Sequence, residues 1–501
     1  SGSDDTVAIQ NAIKWVGANV QPNEQGLRGA VLLRRGVYHI TNTLAIYYSG
    51  IVLRGEGAYG NGTVLLHHGT NQWNTISIYG GTVSNVFKTA ITDAYVPVGA
   101  KQVTVASTEG LSIGQLIAIR CFHTQKWVDT LTQTGFWSPS SFALRWERTI
   151  TDIDTTNHVL TIDAPITSQI DQGAFFAQGE VHTFQINTRV NNIGIEDLIL
   201  MSDYNRSVKD AWGDYCDEKH SDIGIHFIQA SDCWVRRVTG FFYYWCLVRA
   251  RDVTYRITIE DCAMIDGVST DTLNNHTGTR DYYFALSGNQ MLCQRCYGRY
   301  GRHTFVMGGP ISGNVVLDCY AEKEHLSCEP HQWWTSGSLY DNVRTDAIFK
   351  LNRAEGDHGQ RAANCLLWNI TCDNYRSWEP DISLDTPVQD LGKQWAIGII
   401  NHGSGLGIGS PSPESTNSVA AYVESLGAFV QPRSLYLAQL RERLGDHAVD
   451  NIITPEQSIS CQAVWDILLG KYSSIAEFGD PSDLSWLPRK ADTWRTLLLI
   501  R

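Results

Sequence analysis

Apolar positions along the chain change their period twice. Ile9, Ile13 and Val16 recur at i, i+4 and i+7 behind Asp4 and Asp5, the spacing of a helix with an acidic N-cap. The period then shortens. "GAVLLRRGVYHITNTLAI" and "GIVLRGEG" read as short strands punctuated by Gly36, Gly50, Gly55 and Gly57, with no second helix to cross over. That pattern argues against a doubly wound sheet. From Lys101 to Ile166, "KQVTVAS", "GQLIAIR" and "HVLTIDAPI" predict antiparallel strands around a region rich in Trp127, Phe136, Trp137 and Trp146. We read it as a small inserted β-subdomain.

Between about Asn191 and Asn374 a repeat emerges. Short apolar runs close at Val238, Cys262, Cys296, Cys319, Val343 and Ile370, at intervals of 24, 34, 23, 24 and 27 residues. The long interval must carry an extra loop, "STDTLNNHTGTRDYY". One short strand and its turns per repeat of this length describe a solenoid, and the helical 3.6 period is missing. The predicted fold is all-β, a right-handed parallel β-helix. Residues 1–100 form its capping helix and first rungs, 101–166 the insertion, 167–402 the main coil with its cleft, and 403–501 a C-terminal cap. The cap opens on "GSGLGIGSPSPES" and holds one clear helix, "SLYLAQLRERLG", between Ser434 and Gly445. A cover of this kind is expected over the open last rung of a solenoid.

Composition narrows the function. With 18% charged and 43% hydrophobic residues, the 501-residue chain is a core-forming protein, and no 18-residue stretch is apolar enough for a transmembrane helix. The 44 glycines and 16 tryptophans suit tight turns and sugar-stacking surfaces. A formal charge of −13 without Lys/Arg runs speaks against nucleic acid, while a local basic cleft could still bind an acidic polymer. The 12 cysteines are scattered, and Cys262, Cys296 and Cys319 share one repeat position, which suits stacked thiols as well as disulfides. Cys293 and Cys296 form a lone CxxC, too little for zinc. A start at Ser1 and sequons at Asn61, Asn205, Asn275 and Asn369 favour a secreted protein.

Three histidines recur with the repeat. "HTFVMGG" begins at His303, "HQWWTSG" at His331 and "HGQRAAN" at His358, with Gly309, Gly337 and Asn364 six residues on. His331 and His358 each precede their closing residue by 12 positions, and His303 by 16, as if "PISG" were inserted. Equal offsets in successive turns predict a ladder of imidazoles on one face, a setting for proton transfer. His226, His276 and His402 lack this register.

"DDTVAIQNAI", "GVYHITNTLAI" and "GIVLRGEG" resemble the opening rungs of the pectate-lyase-like superfamily. "GRHTFVMGG", "HQWWTSGSLYDNV", "DHGQRAANCLLWN" and "PRSLYLAQLRERLG" resemble an uncharacterised group of β-helix proteins from polysaccharide-degrading microbes. The superfamily includes polysaccharide lyases, glycoside hydrolases, epimerases and phage tailspikes. The resemblance therefore implies fold and polysaccharide chemistry without choosing a reaction. The paired-aspartate calcium motif of pectate lyases and the adjacent-Asp and Gly-His signatures of polygalacturonases are missing.

The residue types around the ladder suit β-elimination on a uronic acid. That reaction needs a base, a donor that neutralises the carboxylate, and an acid for the leaving oxygen. We assign His303, His331 and His358 as candidate bases, Tyr300 as acid, and Arg302 or Lys323 as the neutralising cation. His325, Trp333, Trp334, Arg299, Arg361 and Tyr244 (within "FFYYWC") are candidate substrate contacts. Such a lyase could work without a metal, or with Ca²⁺ held by Glu322, Glu324 or Glu329. Hydrolysis is the rival and needs two carboxylates about 5–9.5 Å apart. Glu329 and Asp357, in neighbouring rungs roughly 5 Å apart, are the candidate pair, with Glu355 as second choice. A glycan-binding β-helix without catalysis is the third reading. The partner is an acidic polysaccharide, and the protein is expected to be a monomer. If the ladder is equivalent along its length, His303→Ala and His331→Ala should each abolish turnover with little change in melting.

Overall fold

The computed structural model describes residues 4–59, 62–139, 141, 143–173, 178–185, 189–211, 213–251, 253–268, 281–352, 354, 356–373, 382–384, 391–401, 406–408, 421–473, 475 and 498–500. The chain is a right-handed parallel β-helix. Among the described residues, 19 strands form one long sheet and ten form a second. Each central rung gives two short strands to the long sheet, such as Leu292–Gln294 and Tyr297–Arg299, and a third, Phe305–Met307, to the second sheet.

The repeat read from the sequence is correct to the residue. Pairings Thr239↔Ala263, Ala263↔Tyr297, Tyr297↔Tyr320, Tyr320↔Arg344 and Arg344↔Thr371 place Val238, Cys262, Cys296, Cys319, Val343 and Ile370 in one interior column. The residue before each column member makes the corner of its rung. Arg237, Asp261, Arg295, Asp318, Asn342 and Asn369 all have φ between 50° and 55°. Asp and Asn enter this left-handed region most readily among non-glycine residues, because their short side chains bond locally. The two arginines are held by charge instead. Arg237 pairs with Asp197 at 2.6 Å and Arg295 with Asp261 at 2.8 Å, each across one rung. Residues 269–280 of the extra loop, with His276 and Asn275, lie outside the described residues, as do His402, Asn61 and Glu355. The Asn369 sequon is buried, and its amide donates to Val430 O and Arg433 O at 2.9 Å each.

The other elements follow from what they cover. Helix Thr6–Asn19 buries Ile9, Ile13 and Val16 on the first rungs. Asp5 occupies its N-cap, but the Asp5 carboxylate accepts from His39 N, tying the helix to strand Gly36–Ile40. The insertion is wider than the 101–166 read from sequence. Its six-stranded antiparallel sheet runs from Ser84–Ala90 to Glu180–Gln185, and those two outer strands pair with each other. Local sequence does not separate a rung strand from an antiparallel one when the partner lies nearly 100 residues away. The C-terminal helical cap lies along the flank of the coil. Leu437 and Leu440 pack on the outward Leu292, Val315, Leu317 and Leu339, and helix Cys461–Tyr472 covers Phe241, Ala263 and Tyr297. These outward-facing leucines made the long sheet need a cover along its side.

All twelve cysteines are free thiols, so stacking rather than disulfide bonding explains their repeat position. Cys293, Cys296 and Cys319 bring their sulfurs within 4.8 Å of one another inside the coil. Cys296 and Cys319 each point a thiol at a carbonyl two residues back, at 3.3 and 3.2 Å.

Burial holds five histidines neutral. It pushes His67, His123 and His220 down to about 4, and His226 and His303 down to about 3. Unfolded, these imidazoles gain protons near pH 6.5. The unfolded chain therefore binds more protons below that pH, and stability falls as pH falls from 6.5 towards 4, by up to about 1.4 kcal/mol per pH unit for each histidine. Melting temperature measured between pH 7 and 4 should drop progressively. A flat profile would show that these rings are not buried neutral.

Candidate active site

The ladder forms on the outer face of the second sheet. His331 and His358 are in register, because Thr335 pairs with Ala362 and Ser336 with Ala363 in the strands that follow them. Their ring centroids are 4.8 Å apart. The next position repeats too: Gly337 and Asn364 both take positive φ, 56° and 54°. A Cβ on Gly337 would meet Thr167 at 2.3 Å, so a side chain there would unseat the insertion. His303 is out of register. Met307 pairs with Pro330 and Ser312 with Ser336, so five residue steps separate these positions in one rung and six in the next; "PISG" is no insertion, and the register sets Gly308, not His303, beside His331. His303 precedes strand Phe305–Met307, whereas His331 follows strand Ser327–Pro330. Its ring nevertheless lies 5.0 Å from that of His331.

Glu329 gathers the site. Strand Ser327–Pro330 alternates faces, so Cys328 enters the core while Ser327 and Glu329 point outward. The Glu329 carboxylate accepts from His331 Nδ1 at 2.5 Å, Arg361 Nη1 at 2.6 Å and Ser327 Oγ at 2.7 Å, and His303 Nδ1 stands 3.7 Å away. Burial opposes its charge. The His303 ring, the Arg361 guanidinium and the His331 hydrogen bond outweigh burial and hold Glu329 below the usual carboxylate range. With Nδ1–H given to Glu329, His331 presents Nε2, which lies 3.3 Å from the hydroxyl of Tyr282. Carboxylate, imidazole and phenol thus form a relay with the geometry of an activated acid–base group. The Tyr282 ring lies edge-on to both His303 and His331, at 4.8 and 5.2 Å.

Sequence reasoning missed Tyr282 and chose Tyr300 for its role. Tyr300 is buried at a left-handed corner (φ 62°), its hydroxyl 3.3 Å from Lys323 Nζ and its ring 6.3 Å from His325. Tyr282 lies at the end of the extra loop of the long repeat, where the period gives no register to read. Arg302 lies beside this phenol, its guanidinium carbon 6.0 Å from the Tyr282 ring. Arg361 belongs to the site through Glu329. His358 sits at its exposed edge and pairs with Asp357 at 2.8 Å.

Other assignments need correction. Arg299 is buried and forks onto Asp266 at 2.8 and 3.0 Å, out of reach of a substrate. Removing one partner of such a pair leaves a bare buried charge, so Arg299→Ala should cost about 3–5 kcal/mol in chemical denaturation. A loss below 1 kcal/mol would show that Arg299 is not so enclosed. Trp333 and Trp334 follow each other at left-handed φ of 60° and 61°, in a turn rather than a strand. Trp333 faces outward, 37% exposed, with its indole N–H on Asp357 O. Trp334 turns in, donates to Ser168 Oγ at 2.8 Å and packs 4.9 Å from Trp127, anchoring the insertion against the turns that carry His331 and His358. Tyr244 also turns in, towards His220, and its neighbour Trp245 faces out, 6.4 Å from Tyr282.

Of the two carboxylates of the hydrolase reading, Glu329 is buried and accepts from three donors, which suits a charged carboxylate rather than a general acid, and Asp357 is 67% exposed on a single 3₁₀ turn. The three glutamates offered for Ca²⁺ point different ways. Glu322 accepts from Tyr297 on the flank of the long sheet. Glu324 accepts from Thr304 N and Thr345 Oγ1 in the interior, where burial raises it to about 7. Glu329 faces outward. A different group, His303, Glu329 and His331, brings its donor atoms within 4.8 Å. Two imidazoles and one carboxylate suit a transition metal better than Ca²⁺.

Neither a protein-family model nor a curated protein matches the chain. Among solved structures it is similar to a tailspike of an Acinetobacter baumannii bacteriophage in complex with a capsular saccharide. That likeness has 11% identity and a TM-score of 0.43, over 80% of this chain and 56% of the other, so the chain spans little more than half of that tailspike. A Pseudomonas phage tailspike is similar at 12% identity and TM-score 0.42, over 85% and 74% of the two chains. The A-module of an Azotobacter vinelandii mannuronan C-5 epimerase is similar at 12% and 0.37, over 86% and 96%. Among the described residues no helix is long and apolar enough to cross a membrane.

Proposed function

We propose that this protein is a polysaccharide lyase that acts outside the cell on a uronic-acid-containing polymer. The observation that carries the reading is the Glu329–His331–Tyr282 relay on an outer sheet face, with Arg302 beside the phenol. Glu329 fixes the tautomer of His331. His331 Nε2 takes the Tyr282 proton as the phenolate oxygen removes the proton at C5 of the uronic acid. The C5–H electrons form the C4–C5 double bond, and the C4–O bond breaks. The departing oxygen receives its proton from the His331 imidazolium, directly or through Tyr282. Arg302 neutralises the substrate carboxylate, which makes the C5 proton acidic enough to remove. The test is product chemistry. Elimination yields an unsaturated uronate that absorbs in the ultraviolet, and hydrolysis yields reducing ends alone.

A further inference from the structure

The outer face of the second sheet has two parallel columns that run up the coil through the candidate site. Strand pairings align His226, Arg249, Ala285, Val306, Glu329 and Lys350 as the first. Two residues further along each strand, the same registers align Arg251, Ser287, Gly308 and His331 as the second. In each column one arginine, preceded by the neutral His226 or by Ile228, is followed by two rungs of small or aliphatic residues and then by the relay. Beside them lies a strip of rings. Trp245, Tyr282, His331 and His358 succeed one another with centroids 6.4, 5.2 and 4.8 Å apart. Trp245 and Tyr282 rest on an apolar bed of Ile223, Cys246, Ala285 and Val306. The Arg249 guanidinium stacks over Trp245, 3.7 Å from its ring centroid, which fixes a normally floppy cation in place.

We infer that this face, from Arg249 and Arg251 to His331, is a binding groove for an anionic sugar chain lying along the coil axis. The inference rests on the lyase reading and adds the direction, length and charge of the bound segment. Strands stack at about 4.8 Å, so the three steps from the Arg249 rung to the Glu329 rung span roughly 14 Å. One rung step is close to the length of one sugar unit in a polymer. A chain reacting at Tyr282 and His331 would therefore place a carboxylate about three units away against Arg249 and Arg251. Small side chains at Ala285, Ser287 and Gly308 leave room between the cations and the relay. Aromatic faces stack on sugar rings, and the planar guanidinium fork matches a carboxylate.

The experiment uses the full chain carrying Tyr282→Phe, so that a bound polymer is not consumed. Affinity gel electrophoresis against polygalacturonate, alginate and hyaluronate, with uncharged dextran as control, measures binding. At least one polyuronate should retard the protein, and dextran should not. Adding Arg249→Ala and Arg251→Ala should weaken that retardation roughly tenfold or more, as expected for loss of charge-assisted hydrogen bonds. Arg249→Lys with Arg251→Lys keeps the charge and guards against misfolding; it should recover part of the affinity. Unchanged affinity in the alanine variant overturns the groove. So does retardation by no polyuronate, or by dextran as strongly. If binding depends on the arginines but the chain with Tyr282 intact forms no unsaturated product, the groove stands and the elimination chemistry fails.

Discussion

His331→Ala is expected to lower turnover by roughly 10²–10⁴-fold, the usual contribution of a positioned acid–base group, while shifting stability by less than about 1 kcal/mol. The two effects separate because of where the ring sits. It is partly exposed, and its loss still leaves Glu329 two donors, Arg361 and Ser327. No buried charge is orphaned. His303→Ala differs, although the spacing in the sequence makes the two histidines look equivalent. His303 is only 1% exposed, and its Nδ1 donates to Ser327 O at 2.9 Å. Its removal opens a cavity beside Glu329 and should cost about 1–3 kcal/mol in stability. Steady-state kinetics and melting curves of the two variants check this contrast.

Tyr282→Phe is the second large effect. The substitution keeps the ring and its edge contacts with His303 and His331, and it removes only the hydroxyl that faces His331 Nε2. If the phenol moves the proton, kcat should fall by roughly 10²-fold or more while KM changes little. If Tyr282 merely packs, kcat should stay within a few-fold of its normal value. Tyr300→Phe provides the comparison. Its hydroxyl meets Lys323 rather than a ladder histidine, so its loss should leave kcat nearly unchanged.

The sequence revealed the coil because a β-helix writes its period into single residues. The column from Val238 to Ile370 and the Asp, Asn or Arg before each member recur at every corner, and both follow from local backbone geometry. His331 and His358 were legible on the same basis. What the period does not touch was misread. Tyr282 ends an irregular loop, and the first ladder histidine stands before its strand while His331 stands after its own. Trp333 and Trp334 look like one platform until their turn is known, and then they face opposite ways. Arg299 and Arg302, three residues apart, look alike as cations. Only the fold shows that one is bound inside by Asp266 and the other stands beside Tyr282. The flank-lying C-terminal helices and the true width of the insertion depend on pairings between distant segments, which no local pattern records.

The most direct test is to incubate the protein with a panel of polyuronates and follow ultraviolet absorbance and reducing ends together. The account predicts that on one acidic polymer both rise in proportion, and that His331→Ala abolishes both. Reducing ends without absorbance would contradict it, and so would unsaturated product at an undiminished rate in the His331→Ala variant.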